Sequence, residues 1–76
     1  MDEIIKAARE TTVLNITYRS EKKGISERTV EPYEIKDGAL YAYDIAKQSI
    51  RRFTLGNIIS AKATESAFSP RWPILI

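Results

Sequence analysis

The sequence predicts a mainly β domain: a small barrel of five short strands, entered through one short α-helix. Three observations predict it. Apolar and polar residues alternate at period two through most of residues 12–65. Turn signals recur between these runs at near-regular spacing, at Gly24, Asp37-Gly38 and Gly56-Asn57. Helical spacing is confined to about residues 2–10.

The helix is expected first. Ile4, Ile5 and Ala8 fall on one side, with Lys6, Arg9 and Glu10 between them. Asp2 can cap its start, and Asp2 and Glu3 suit the positive end of a helix. Thr11 and Thr12 stop it, because β-branched residues favour strands. In "TVLNITYRS" Leu14, Ile16 and Tyr18 face one way, and Val13, Asn15, Thr17 and Arg19 the other. "EKKG" turns the chain, with Gly24 at the position that needs positive φ. "SERTVEPYEIK" is the second strand, and Pro32 marks an edge, a bulge or a bend in it. Asp37-Gly38 is a hairpin signal leading into "LYAYDI". "AKQS" turns into "IRRFTL", and Gly56-Asn57 leads into the fifth strand, "IISAKATE". The last segment, 66–76, is too apolar for a free tail and is expected to pack on its own barrel or on a neighbour.

At 76 residues the chain is read as a single domain spanning 1–76. A chain this short buries only about 60% of its unfolded surface, so its core is thin. It has no Cys and no His, which removes disulfides, zinc fingers and both residues as catalytic groups. No apolar run approaches a membrane span, and the acidic, amphipathic start is unlike a secretory signal, so a cytoplasmic protein is expected. Net charge is only +2, but it is uneven: residues 1–38 carry seven Lys/Arg against eight Asp/Glu, and residues 39–76 five against two.

The three glycines all sit in turn contexts, so no phosphate-cradling loop is present. Catalysis would need Ser, Thr, Lys, Tyr or paired carboxylates; Glu31 and Glu34 are available, and nothing singles them out. A binding module is expected rather than an enzyme, with no catalytic residue, cofactor or metal site. The informative set is basic and aromatic: Arg28 on the second strand, Tyr41 and Tyr43 on the third, Arg51 and Arg52 on the fourth. Arg offers a planar fork to phosphates and Tyr a platform for bases. Alternation puts Arg51 with Phe53 and Leu55, so it is expected to enter the barrel end with Glu31 or Asp44 as partner, while Arg52 faces outward. The competing reading has the tyrosines covering the exterior and the arginines paired with Glu27, Glu31 or Asp44.

"NITYRSEKKGISERTVEPYEI" followed by "GALYAYDIAKQSIRRFTLGNII" resembles the WYL domain of bacterial regulators, over roughly residues 4–68. The resemblance rests on a helix ending before a "V-x-I-x-Y" type of strand in "NITYRS", Arg28-x-Val30-x-Pro32, the namesake tripeptide, and Arg51-x-Phe53-x-Leu55 with Ile58. It implies an Sm-like, SH3-type barrel and a ligand-sensing role. Such domains accompany helix-turn-helix domains in transcription factors, some linked to CRISPR or DNA-damage responses, and others occur in helicases. Several bind single-stranded DNA, RNA or nucleotide-like ligands, and Tyr18, Arg28, Tyr41 and Arg51 match positions the family tends to use. Here the tripeptide is Leu40-Tyr41-Ala42, Thr54 and Asn57 replace two further basic positions, and Arg52 is an added charge. The one short helix leaves no helix-turn-helix before the barrel in these residues.

Two functions follow as expectations. The first is a regulatory module that binds single-stranded nucleic acid or a nucleotide-like anion through Tyr18, Arg28, Tyr41, Tyr43, Arg51 and Arg52. The second is a protein-interaction or oligomerisation module, a free-standing regulator or phage-type inhibitor, acting through strand edges and the C-terminal tail.

Overall fold

A computed structural model describes all of residues 1–76. Helix α1 spans Asp2–Arg9, with Asp2 and Glu3 in its first turn and Lys6 and Arg9 in its last, the distribution a helix dipole favours. Met1, not Asp2, is the N-cap, and no side chain caps the start. The buried stripe is Ile4, Ala7 and Ala8; Ile5 is only half-buried, because the stripe at i, i+3 and i+4 from Ile4 leaves Ile5 on its flank.

Five strands follow: β1 (Thr12–Ser20), β2 (Gly24–Lys36), β3 (Ala39–Asp44), β4 (Ser49–Thr54) and β5 (Ile58–Ala67). They form one antiparallel sheet in the order β4-β3-β2-β1-β5, so the domain is mainly β with one short N-terminal helix. β2 organises the sheet. Its first half pairs with β1 and its second half with β3, and Val30 lies opposite both Leu14 and Asp44. The ladder slips between Pro32 and Glu34, leaving Tyr33 as the extra residue of a bulge. Pro32, with no N–H to donate, fits such a point. Asp37 and Gly38 both take positive φ, as a tight two-residue hairpin requires.

The β4–β5 connection differs from the expected hairpin. Gly56 and Asn57 lie in a 3-10 turn, Leu55–Asn57. β4 and β5 are opposite edges of the sheet, and a two-residue hairpin joins only neighbours. Both edges still meet one core. Phe53 of β4 joins Ile4, Ala7, Leu14, Ile16, Val30, Leu40 and Ala42, with Ile58 and Ala61 of β5 packed against them, so the sheet curls around this cluster. Two side-chain bonds reinforce the curl: Thr54 N–H of β4 donates to the Tyr18 hydroxyl (3.0 Å), and Ala63 N–H of β5 donates to Glu3 of α1 (3.3 Å). Only 15 of 76 residues are buried, so each core contact is a large share of the stability.

The C-terminal segment lies back on the sheet. Phe68 N–H donates to Thr11 O (2.9 Å) and Leu75 N–H to Tyr33 O (2.8 Å). The Phe68 and Trp72 rings meet Tyr33 edge-on, with centroids 5.7 and 5.3 Å away. No helix is long and apolar enough to cross a membrane.

Candidate functional site

Strand alternation divides the six predicted residues between two faces. Leu14, Ile16, Val30 and Leu40 face the core, and their cross-strand partners share that concave side. Ile16 pairs with Arg28, Tyr18 with Ser26, and Ala42 with Arg51, so Tyr18, Arg28 and Arg51 are concave. Tyr41 pairs with Arg52 and Tyr43 with Ile50, which puts Tyr41, Tyr43 and Arg52 together on the convex face.

The concave residues close into a ring at one end of the curled sheet. Tyr18 lies opposite Ser26, whose hydroxyl accepts from Arg28 Nε (3.1 Å). Arg28 Nη1 donates to Asp44 Oδ2 at 3.0 Å, an ion pair in which the two side chains are 12% and 1% exposed. Asp44 Oδ1 accepts from Lys47 N–H of the β3–β4 turn (3.3 Å). Asp44 lies opposite Ser49 and Ala42 opposite Arg51, so Arg51 is the diagonal neighbour of Asp44 on the same face. Phe53, two residues on, meets the Tyr18 ring edge-on at 5.0 Å and completes the circuit. Burial pushes the Tyr18 phenol up, but the Thr54 N–H and side chain, Asn57 and the Arg52 charge outweigh it and hold the phenol below its ordinary value.

Arg51 departs from expectation. It is exposed and takes part in neither of the structure's ion pairs, Arg28–Asp44 and Arg71–Glu31. The two carboxylates expected for it are held by other arginines, and its edge strand opens to water. Arg52 is also exposed, with only Thr54 Oγ1 at 3.4 Å from its Nη1. The concave end thus holds one neutralised guanidinium, Arg28, and one free, Arg51. A cavity of 330 Å³ adjoins it, lined among others by Lys23, Ser26, Arg28, Asp44 and Lys47. The two lysines were not among the predicted site residues. Their turns gave the signal: in an antiparallel meander every second turn falls at the same end of the sheet, which brings the β1–β2 and β3–β4 turns together.

On the convex face the C-terminal segment had no periodic pattern to announce it. Arg71 Nε donates to Glu31 Oε1 (3.1 Å), its Nη2 to Oε2 (3.4 Å), and its guanidinium lies 4.1 Å over the Tyr43 ring. The bond to Glu31 pushes the Arg71 guanidinium up from its already high value. Tyr33 donates its O–H to Glu31 Oε1 (2.7 Å) and accepts from Arg71 N–H (3.0 Å). Burial, opposed by the Arg71 N–H and aided by the Glu31 bond and charge, raises the Tyr33 phenol above its ordinary value.

Comparison with known proteins agrees with this geometry. No curated protein matches the chain. Among solved structures, proteasome accessory factor B/C (PafBC) of Arthrobacter aurescens is similar, with a TM-score of 0.72 and 27% identity. The match covers 92% of this chain and 13% of that one, so the chain spans only a small part of PafBC. The family model for the WYL domain matches residues 1–63, which include α1, all of β1 to β4 and the ring around Arg28, and the chain belongs to the WYL domain family.

Proposed function

We propose that this WYL domain is a ligand-sensing regulatory module, without catalytic activity, that binds single-stranded nucleic acid or a nucleotide-like anion at its concave end. The observation that carries the reading is Arg51: a free guanidinium on the rim beside the fixed Arg28–Asp44 pair and a cavity with Lys23 and Lys47. A fixed pair gives shape, and an unpaired arginine gives net attraction for phosphate. Few phosphates are contacted, so affinity is modest. Two or three contacts on a single strand give a log–log salt slope of about −1.5 to −2.

Fluorescence polarisation with short single-stranded DNA and RNA at two salt concentrations tests this. Arg51→Ala weakens salt-sensitive binding at least about fivefold while the protein stays folded. Binding that is indifferent to salt and unchanged in Arg51→Ala sinks the proposal.

A second reading, assembly through strand edges, rests on Ile50 of β4 and Ile59 of β5, 44% and 50% exposed on the two edge strands. Sedimentation tests it: a protein that stays monomeric at high concentration and binds no protein partner removes it.

A further inference from the structure

The convex face carries a second feature, separate from the concave end. Tyr33, Glu34, Tyr41 and Ile50 of the sheet, with Trp72 and Leu75 of the C-terminal segment, enclose an open pocket of 260 Å³. Pockets for drug-sized ligands run to roughly 300–1,000 Å³, so this one suits a single ring system. Its walls are aromatic or apolar except at Glu34, a half-buried carboxylate that neither ion pair of the structure uses. Arg52 stands beside it, cross-strand from Tyr41, exposed and without a carboxylate partner.

We infer that this pocket is a nucleobase subsite, in which a base of the bound strand stacks against Tyr41 and Trp72. This rests on the nucleic-acid reading above and extends it to the opposite face. A flat aromatic-walled slot recognises a π-face and not a chain of charges. Glu34 supplies an acceptor for an exocyclic amino group, which adenine, cytosine and guanine have and uracil lacks. Arg52 meets a phosphate of the same nucleotide. The pocket is built rather than incidental: Trp72 is held edge-on to Tyr33, Leu75 N–H is bonded to Tyr33 O, and Arg71 is pinned between Glu31 and Tyr43.

Trp72 is the single tryptophan, so its indole N–H gives one signal in a nitrogen–proton correlation spectrum. Uncharged nucleosides are the probe, because they offer a base and no phosphate. Cytidine or adenosine shifts the indole signal saturably. Uridine binds more weakly by about threefold or more, and Glu34→Gln narrows that gap. Tyr41→Leu weakens the nucleoside effect by about fivefold or more, with the amide spectrum showing that the variant is folded. Silence of the indole signal toward every nucleoside overturns the pocket, as does a shift undiminished in folded Tyr41→Leu. The two readings fail separately. Oligonucleotide binding through Arg51 with no nucleoside response removes the pocket alone. A nucleoside response with oligonucleotide binding indifferent to Arg51→Ala removes the concave site alone.

Discussion

Asp44→Ala strips the Arg28 guanidinium of its carboxylate while leaving it 12% exposed, with Ser26 Oγ as the remaining side-chain partner. Removing one member of a buried pair costs about 3–5 kcal/mol, because the survivor is desolvated without compensation. Arg28 keeps a sliver of water contact, so the lower end, about 3 kcal/mol, is expected here. A domain of this length has roughly 4–11 kcal/mol in all, so the loss is a large fraction. Arg28→Met alone leaves the buried Asp44 carboxylate unpaired and costs about as much, and the double variant Arg28→Met/Asp44→Ala, which buries no unpaired charge, returns to within about 2 kcal/mol of wild type. Urea unfolding followed by circular dichroism on the four proteins of the cycle reads this as a coupling of about 4 kcal/mol, the two single losses less the loss of the double variant. A cost for Asp44→Ala below about 0.5 kcal/mol would refute the reasoning, since it would mean that the pair is effectively in water. The outcome bears on function too. A binding defect in an Arg28 variant reports a damaged ring as readily as a lost ligand contact, whereas Arg51 has no such entanglement.

Other consequences can be checked alongside. Arg51→Ala removes no ion pair, and its unfolding free energy stays within about 0.5 kcal/mol of wild type in the same urea experiment. Truncation before Ser69 removes Ile76, which packs against the core, and the half-buried Ile74; together they contribute about 1.5–3 kcal/mol, read as a lower urea midpoint. In an alkaline titration followed by phenolate absorbance, Tyr18 ionises before Tyr33, and Tyr33→Phe deletes the later of these two steps. The protonated Tyr33 phenol contributes its stability fully below the ordinary value of 10.0, and that contribution is lost as pH rises through its raised value.

Much of the fold was legible because period-two alternation is a strong signal and the core set by it is nearly complete. β1 runs over Thr12–Ser20, the stretch its alternation marks, and the bulge sits at Pro32–Glu34, where the proline interrupts the ladder. The β4–β5 link was not legible from Gly56-Asn57, because whether two strands are neighbours is a property of the whole sheet and not of the two residues between them. At the site, pairing Tyr41 and Tyr43 with one arginine on a face held, and the arginine is Arg52. Parity with Phe53 puts Arg51 on the core side, yet it is exposed, because parity gives the side of a strand and not the depth. Which carboxylate belongs to which arginine depended on Arg71, in a segment without periodicity. Its capture of Glu31, like that of Asp44 by Arg28, is decided by long-range packing.

Amide chemical-shift mapping during titration with a short single-stranded oligonucleotide would locate the ligand on the protein itself. Binding at the concave end gives the largest shifts at Tyr18, Ser26, Arg28, Lys47 and Arg51, collapsing in Arg51→Ala. Shifts confined to α1 and the outer edge of β5, with the Arg28–Asp44 ring silent, would contradict it.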